Sequence, residues 1–410
     1  MKILLVNKFY YPQGGAEKHV FDLKALLESR GHKVVMFAVR DPRNMPSPEQ
    51  KYFVSPVDFS RVRFGWQGLR VAARMLYSRA ANRQLERLIR DERPDIAHLH
   101  NVYHQLPPSI LSVLKKHHIP TVMTLHDYKL ISPNYALYDH GAVCERSIRG
   151  AYYRTITHRC VKNSYLASTL AAVTMYIHRW RKYYQIVDCY ISPSRFLIGK
   201  VKQSGLPVRR LECLPNFIAA NEAPAAEPGD YFIAAGRISE EKGYDTTLAA
   251  VRGTDLSLKI VGDGPALAGL KEFVARNQMN NVEFTGRLGG AALRMAIRQA
   301  RAVLVPSIWY ENCPLAVLEA YREGRAVIGS RIGGIPELIV DGRTGLLVSP
   351  GSATELRQAM SRLWREPKLA NQLGQQAYEQ VQSYNPERYY DSLMKIYQSI
   401  LSPHALSNPN

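Results

Sequence analysis

The chain has 410 residues, 46% apolar and 22% charged, and its 54 Lys and Arg outnumber 35 Asp and Glu for a formal net charge of +19. That length predicts two domains whose cores need no disulfide or metal staple, and the composition excludes a disordered or fibrous protein. Five cysteines, odd in number and scattered, fit a reducing compartment better than a disulfide framework.

In chain order, the apolar run 3–6 stops at Asn7-Lys8, so it reads as a first strand and not as a secretory leader. Further short β-branched runs follow at 34–38, 96–99, 121–125 and 189–191, most of them separated by helical stretches. Strand and helix alternating in this way predict a parallel sheet covered on both faces. Gly14-Gly15-Ala16-Glu17 opens the first helix, where free N–H groups can meet an anion, although many such turns carry two glycines for packing alone. Over 66–90, arginines that include Arg79 and Arg83 recur beside apolar positions and predict a basic amphipathic helix. Residues 151–184 interleave Arg154, Arg159 and other cations with tyrosines and Trp180. A solvated helix face ranks first for that mixture, a membrane contact second and an acidic soluble substrate third. The longest apolar run, 165–177, has 13 residues, short of the roughly 18 to 20 that cross a bilayer.

The excess charge has a place. Residues 1–215 hold 34 Lys and Arg against 15 Asp and Glu, a difference of +19, whereas 216–410 hold 20 against 20. One half carrying all the excess predicts an anionic partner for that half: a membrane surface, an acidic substrate or nucleic acid.

After a low-order stretch at 219–229 the alternation starts afresh, with runs at 231–235, 258–261, 282–284, 302–305, 326–328 and 346–348. The expected division is a basic domain over 1–215, a linker over 216–229 and a second α/β domain over 230–385. A last helix over 386–402, expected to cross back to the first domain, and a frayed tail over 403–410 complete it.

Four groups of residues in the second half carry chemistry. Arg237 and Lys242, five apart across a turn after the first strand, can point at one place beyond its carboxyl end, where open α/β sheets bind ligands. A guanidinium there can fork onto two phosphate oxygens, and an ammonium can act as a point charge. Glu311 and Glu319 flank Asn312-Cys313-Pro314-Leu315. If Pro314 starts a helix, the free N–H groups that follow face an anion or a sugar oxygen, and the two carboxylates bracket one ligand. That spacing suits hydroxyl recognition better than an acid–base pair. Gly262-Asp263-Gly264-Pro265 follows another strand, and Gly333-Gly334 precedes a short helix and the return strand ending at Val348.

Together with Thr124-Leu125-His126-Asp127, Ser192-Pro193-Ser194, Leu214-Pro215-Asn216 and Phe284-Thr285-Gly286-Arg287, these motifs resemble the retaining glycosyltransferases of family 4 over nearly the whole chain. The resemblance implies the GT-B fold, an α/β architecture of two Rossmann-like domains whose parallel sheets face a central cleft. It implies that the second domain holds a nucleotide-diphosphate sugar of UDP or GDP type and the first an acceptor. By the same resemblance Arg237 and Lys242 bind the diphosphate, Glu319 takes the ribose hydroxyls, and Glu311 holds the transferred sugar with the backbone N–H groups of Asn312, Cys313 and Leu315; Pro314, which has no N–H, also counts among the donor-binding positions. Gly264 joins that set, Arg287 and Leu288 face the base, Gly15 touches the phosphate, and His126 sits near the reaction centre. His126, Glu311, Arg237 and Lys242 are thus the expected catalytic residues. No cofactor and no metal are expected, because the motifs lack an aspartate pair to hold one.

The stretch from His126 to Asn134, with Cys144 and Cys160 after it, looks like a subgroup tied to bacterial surface polysaccharides or lipopolysaccharide. Relatives there carry four cysteines; Ser132 and Ser147 stand where two others would fall, so a closed zinc site is not expected. The leading expectation is a retaining transferase, cytoplasmic and peripheral on the anionic inner membrane, that adds a sugar to a lipid-linked glycan. Arg79, Arg83, Arg154, Arg159 and Trp180 are its candidate membrane or acceptor contacts. A nucleotide-sugar 2-epimerase or phosphorylase on the same fold is the alternative. A nucleic-acid binder ranks below both, since no recognition helix or zinc finger accompanies the charge.

Overall fold

The computed structural model describes residues 1–57, 73–103, 105–219 and 229–402. Contacts divide the chain into two units, one of Met1–Leu137, Cys144–Leu214 and Tyr390–Asn410, the other of Tyr138–Val143 and Pro215–Tyr389.

In the first unit β1 (Lys2–Val6), α1 (Gly15–Ser29), β2 (Lys33–Phe37), α2 (Arg79–Glu92), β3 (Ile96–Leu99), α3 (Ile110–Lys116) and β4 (Thr121–Thr124) follow one another. The hairpin β5 (Tyr138–Asp139) and β6 (Ala142–Val143) belongs to the second unit. The chain then returns through α4 (Tyr153–Thr157), α5 (Tyr165–Trp180), β7 (Cys189–Ser192), α6 (Arg195–Gln203) and β8 (Leu211–Cys213). The sheet is parallel throughout, in the order β2-β1-β3-β4-β7-β8. Ile3, Leu4, Leu5 and Val6 are all fully buried. Helices on both faces leave no strand side for water, so the strand reads as an unbroken apolar run.

The basic helix expected over 66–90 needs correction. Residues 66–72 lie outside the described residues, and the chain leaves the helix at Tyr77 and Ser78. The Ser78 hydroxyl accepts a hydrogen bond from the Ala81 N–H at 3.2 Å and so starts a separate helix, α2. Leu85, Leu88 and Ile89 of α2 are buried, and Arg79, Arg83, Arg87 and Arg90 are exposed.

The second unit runs β9 (Phe232–Ala235), α7 (Tyr244–Val251), β10 (Leu258–Val261), α8 (Leu267–Arg276), β11 (Val282–Gly286), α9 (Gly290–Arg298), β12 (Ala302–Val305) and α10 (Leu315–Arg322). It continues with β13 (Val327–Ser330), α11 (Ile335–Leu338), β14 (Gly345–Val348), α12 (Ala353–Arg365) and α13 (Pro367–Val381). Its sheet is also parallel, in the order β11-β10-β9-β12-β13-β14. Alternate residues feed opposite cores. Phe232 and Ala234 pack with Leu248, Leu356, Met360 and Leu363, and Ile233 packs with Val303, Val317, Leu318 and Tyr321. The order reverses at β9, which places a crevice at its carboxyl end.

The last helix, α14 (Pro386–Leu401), has its residues from Tyr390 onward in the first unit. There Tyr397 is fully buried and bonds to β3. The linker region 220–228 and the tail 403–410 lie outside the described residues. Among the described residues no helix is long and apolar enough to cross a membrane.

Candidate functional site

The carboxyl edge of the second sheet gathers most of the candidate residues. Lys242, on a 3-10 turn over Glu240–Lys242, places its Nζ 2.6 Å from Glu311 Oε1, and the Ser307 hydroxyl donates to the same oxygen at 2.7 Å. Glu311 is 7% exposed. Burial alone pushes its pKa up, but the Lys242 charge and the hydrogen bonds from Lys242 and Ser307 outweigh burial and hold the carboxyl below its ordinary 4.5. The Lys242 ammonium also lies 5.2 Å from the centre of the Trp309 ring.

Two glycines let the loops close on this pair. Gly333 has φ 61° and its neighbour Gly334 donates to the Glu311 carbonyl at 2.7 Å; a Cβ on Gly333 would lie 2.4 Å from that carbonyl oxygen. Gly243, at φ 72°, lies so near the Pro306 carbonyl that a Cβ would be 2.0 Å from its oxygen. Only a residue without a side chain fits either place.

Pro314 is the cap of α10 and not its first residue, one position earlier than a helix-starting proline. Asn216 Nδ2 donates to the Cys313 carbonyl at 3.0 Å. Cys313 is buried, and Asn312, Pro314 and Leu315 are partly exposed. Glu319 is half-buried, more than a turn inside α10. Arg237 is exposed just past β9, and Arg287 beyond β11 stands 3.6 Å from Asp263 with both side chains in solvent. Leu288 packs on the core beneath, and Gly264 lies against the Ile238 backbone. The edge therefore carries one buried carboxylate fixed by a lysine, the start of a helix, and the exposed Arg237 and Arg287 on the loops after β9 and β11. A cavity of about 990 Å³ in the same unit lies elsewhere, lined by Tyr231, Leu258 and Val282 at the opposite, amino ends of the strands. The chemistry converges on the carboxyl ends, so the cavity is not the candidate site.

In the first unit Gly15 is the exposed first residue of α1. His126, largely buried just past β4, belongs to a group of imidazoles that includes the buried His19, His98 and His100. Burial pushes His126 down to about 4, and burial followed by the neighbouring His126 pushes His98 down to about 3. Beside it, burial pushes Asp127 up to about 6 against the Lys129 backbone N–H, which donates to its Oδ1 at 2.8 Å. Sequence reasoning found His126 and passed over the other three. The available signal was His98 and His100 two apart at a strand end, where a period of two puts both on one side.

Arg79 and Arg83 lie exposed on α2, Arg154 and Arg159 on and just after α4, and Trp180, 74% exposed, ends α5. Arg159 lies over Tyr165 at 5.5 Å and Arg181 over Trp180 at 5.2 Å. Ser132 and Ser147 hydrogen-bond to each other at 2.8 Å in the interior, and the Cys144 and Cys160 sulfurs lie within 4.8 Å of one another without a disulfide between them.

Comparison with known proteins brings in a family. Residues 13–222 match the family model described as Glycosyltransferase Family 4, and residues 218–380 match Glycosyl transferases group 1. A D-rhamnosyltransferase of Pseudomonas aeruginosa is 34% identical over 149 residues, which are 36% of this chain and 39% of that protein. Matches to curated relatives of this rank span about half of their length or less. Over the whole fold, sucrose-phosphate synthase from Thermosynechococcus elongatus superposes with a TM-score of 0.71 at 19% identity, covering 97% of this chain and 98% of that one. HepE of Anabaena, solved in complex with UDP, gives 0.64 at 17% identity over 97% and 100%. At these identities the structural likeness is one of fold, the two-domain GT-B arrangement.

Proposed function

The chain belongs to glycosyltransferase family 4, and on that premise we propose that it moves a sugar from a nucleotide-diphosphate donor to a glycan acceptor with retention at the anomeric carbon. The observation that carries this reading is the Lys242–Glu311 pair held beside the start of α10 at the carboxyl edge of the second sheet. Breaking the bond from the anomeric carbon to phosphate develops positive charge on the sugar and negative charge on the leaving diphosphate. Arg237 and Lys242 stabilise the diphosphate as that charge forms, and the free N–H groups at the head of α10 add to them. This supply of positive charge is why we assign the reaction no divalent cation.

Glu311, held ionised among hydrogen bonds, positions sugar hydroxyls and is not a covalent nucleophile. Glu319 takes the ribose and the stretch at Arg287 and Leu288 the base. In front-face attack the donor phosphate helps remove the acceptor proton, and His126 serves the sugar by hydrogen bonding. HepE in complex with UDP supports a nucleotide-sugar donor, and the D-rhamnosyltransferase of Pseudomonas aeruginosa supports a sugar as the group transferred. The resemblance of the stretch from His126 to Asn134 is the ground on which we assign a bacterial surface glycan as product class. The acceptor falls to the first unit. The +19 excess of residues 1–215 and the exposed aromatics with cations over them on α4 and α5 support a lipid-linked acceptor met at an anionic membrane face.

Thermal stability with UDP, GDP, ADP, TDP and CMP in turn, EDTA present, tests the donor assignment. A ligand at 100 times its dissociation constant adds about 2.7 kcal/mol. A shift with one diphosphate that disappears in Lys242→Ala is the expected result, and no shift with any of them overturns the assignment.

A further inference from the structure

We infer that His100 fixes the tautomer of His126, holding that ring's proton on Nδ1, so that His126 serves sugar transfer as a hydrogen-bond donor and not as a base. The functional half of this inference rests on the role given to His126 above; the tautomer itself does not.

His98 and His100 leave β3 on one side, and their rings stack at 4.5 Å with 23° between planes. His98 is tied at both nitrogens, Nδ1 to the Tyr397 phenol and Nε2 to the Thr124 hydroxyl, each at 2.7 Å. It forms a fixed floor for His100, whose ring centre in turn lies 5.2 Å from that of His126 with 27° between planes, the two rings edge to edge. His100 Nδ1 faces His126 Nε2 at 2.9 Å. His19 packs edge-on against both rings, at 6.0 and 5.5 Å, so neither can swing away on that side.

Burial pushes both His100 and His126 below the ordinary 6.5, and each ring is neutral with one proton at neutral pH. One N–H therefore lies between the two facing nitrogens. If His126 donated it, the proton of His100 would sit on Nε2. That atom is buried and has no hydrogen-bond partner among the described residues. If His100 donates, its proton is used and only a lone pair is left over. Orphaned N–H groups are the rarer defect of protein interiors, under-satisfied acceptors the commoner one. His100 Nδ1–H thus points at His126 Nε2, the Nε2 lone pair is occupied, and the proton of His126 resides on Nδ1. Uptake of a proton at Nε2 would first have to break the bond to His100.

The ring nitrogens can be read directly. In the full chain labelled with ¹⁵N-histidine, with His126 assigned through His126→Gln, long-range proton–nitrogen spectra at neutral pH should show a protonated Nδ1 and an unprotonated Nε2 for His126. A protonated Nε2 overturns the inference. His100→Asn retains an amide donor at the place of Nδ1 and should keep both the nitrogen pattern and most of kcat. His100→Leu has no donor; His126 should shift its proton to Nε2 while kcat falls about 10- to 100-fold and KM changes little. Equal losses of kcat in the Asn and Leu variants, with the nitrogen pattern unchanged in both, would mark His100 as merely structural and overturn the inference. A shifted proton in His100→Leu with wild-type kcat upholds the tautomer and refutes the role of His126 in transfer. If the Leu variant does not fold, the wild-type and Asn spectra still decide the tautomer.

Discussion

Lys242 Nζ and Glu311 Oε1 are 2.6 Å apart although 69 positions separate the residues in the chain, and their side chains are 27% and 8% exposed. On the donor assignment proposed above, a diphosphate that draws on Lys242 must share it with Glu311 or take it away, so donor binding and the local fold would use the same contact. Removing the lysine strands a carboxylate that burial disfavours. Lys242→Ala should cost about 1–3 kcal/mol, less than a fully buried pair because the lysine is partly solvated. Glu311→Gln keeps an acceptor for Ser307 and should cost about 1 kcal/mol. Both should lower kcat/KM by about 100-fold or more, since each removes charge or positioning at the reacting bond. Urea unfolding and steady-state rates check this, and an active, fully stable Lys242→Ala protein refutes the site.

Gly333→Ala adds one methyl group where the Glu311 carbonyl oxygen already lies 2.4 Å away, at a φ of 61°. The left-handed backbone alone costs about 1–2 kcal/mol, and the contact forces the Glu311 backbone to move. Stability should fall by about 3 kcal/mol in all, with nucleotide-induced thermal shift lost even where the variant folds. Gly269→Ala, inside α8 with open space around its added Cβ, is the control and should gain about 0.5–1 kcal/mol. Equal melting points for the two variants would refute the packing argument.

Strands such as β1 and β12 are legible in the sequence because both of their faces are buried, which forces an unbroken apolar run. The three-residue β8, half-exposed at a sheet edge, leaves no such run, and neither does the hairpin at 138–143. Its place in the second unit depends on contacts such as the Tyr138 hydroxyl donating to Glu240 at 3.1 Å, 102 positions away. The same limit applies to the site. Lys242 and Glu311 can each be picked out by motif, but a spacing rule aims both at a ligand and cannot see that they aim at each other. His98 and His100 read as strand filling because the buried strand around them hides their ring contacts, which need β4 and α14 to exist. Over 66–90 periodicity carried the helix through Ser78, where one hydroxyl bond restarts it.

Acid should unfold the protein earlier than its carboxylates alone would dictate. His98, His126 and His178 are held down by burial to about 3, 4 and 4, against an ordinary 6.5. Their unfolded forms therefore take up protons first as the pH falls. The stability from keeping them neutral is complete above pH 6.5 and drains away between 6.5 and about 4, by up to about 1.4 kcal/mol per pH unit for each. Asp127 acts in the opposite sense. Raised by burial to about 6, it binds its proton more tightly when folded and offsets one histidine between pH 6 and 3.8. The net sign stays with the histidines. Urea midpoints at pH 7, 6 and 5 should decline steadily, and a flat profile over that range contradicts neutral burial of these rings.

The basic face of the first unit should direct it to anionic lipid. Tyr153, Tyr165 and Trp180 are 52%, 61% and 74% exposed on α4 and α5, with Arg159 over Tyr165 and Arg181 over Trp180. Amphipathic rings at a headgroup boundary bury their faces while the guanidinium groups meet phosphate. A cation near such a surface contributes about 1 kcal/mol, so Arg154→Ala with Arg159→Ala should weaken sedimentation with phosphatidylserine vesicles by roughly 30-fold. Raising the salt to about 1 M shortens the screening length to about 3 Å and should release most of the wild type. Trp180→Ala removes contact area without charge and should weaken binding at high and low salt alike. Arg79→Ala with Arg83→Ala on α2 asks whether the second basic helix shares the surface, and a loss matching the first pair would extend the contact to it. Equal sedimentation with neutral and anionic vesicles would mean that these cations serve a soluble acceptor instead.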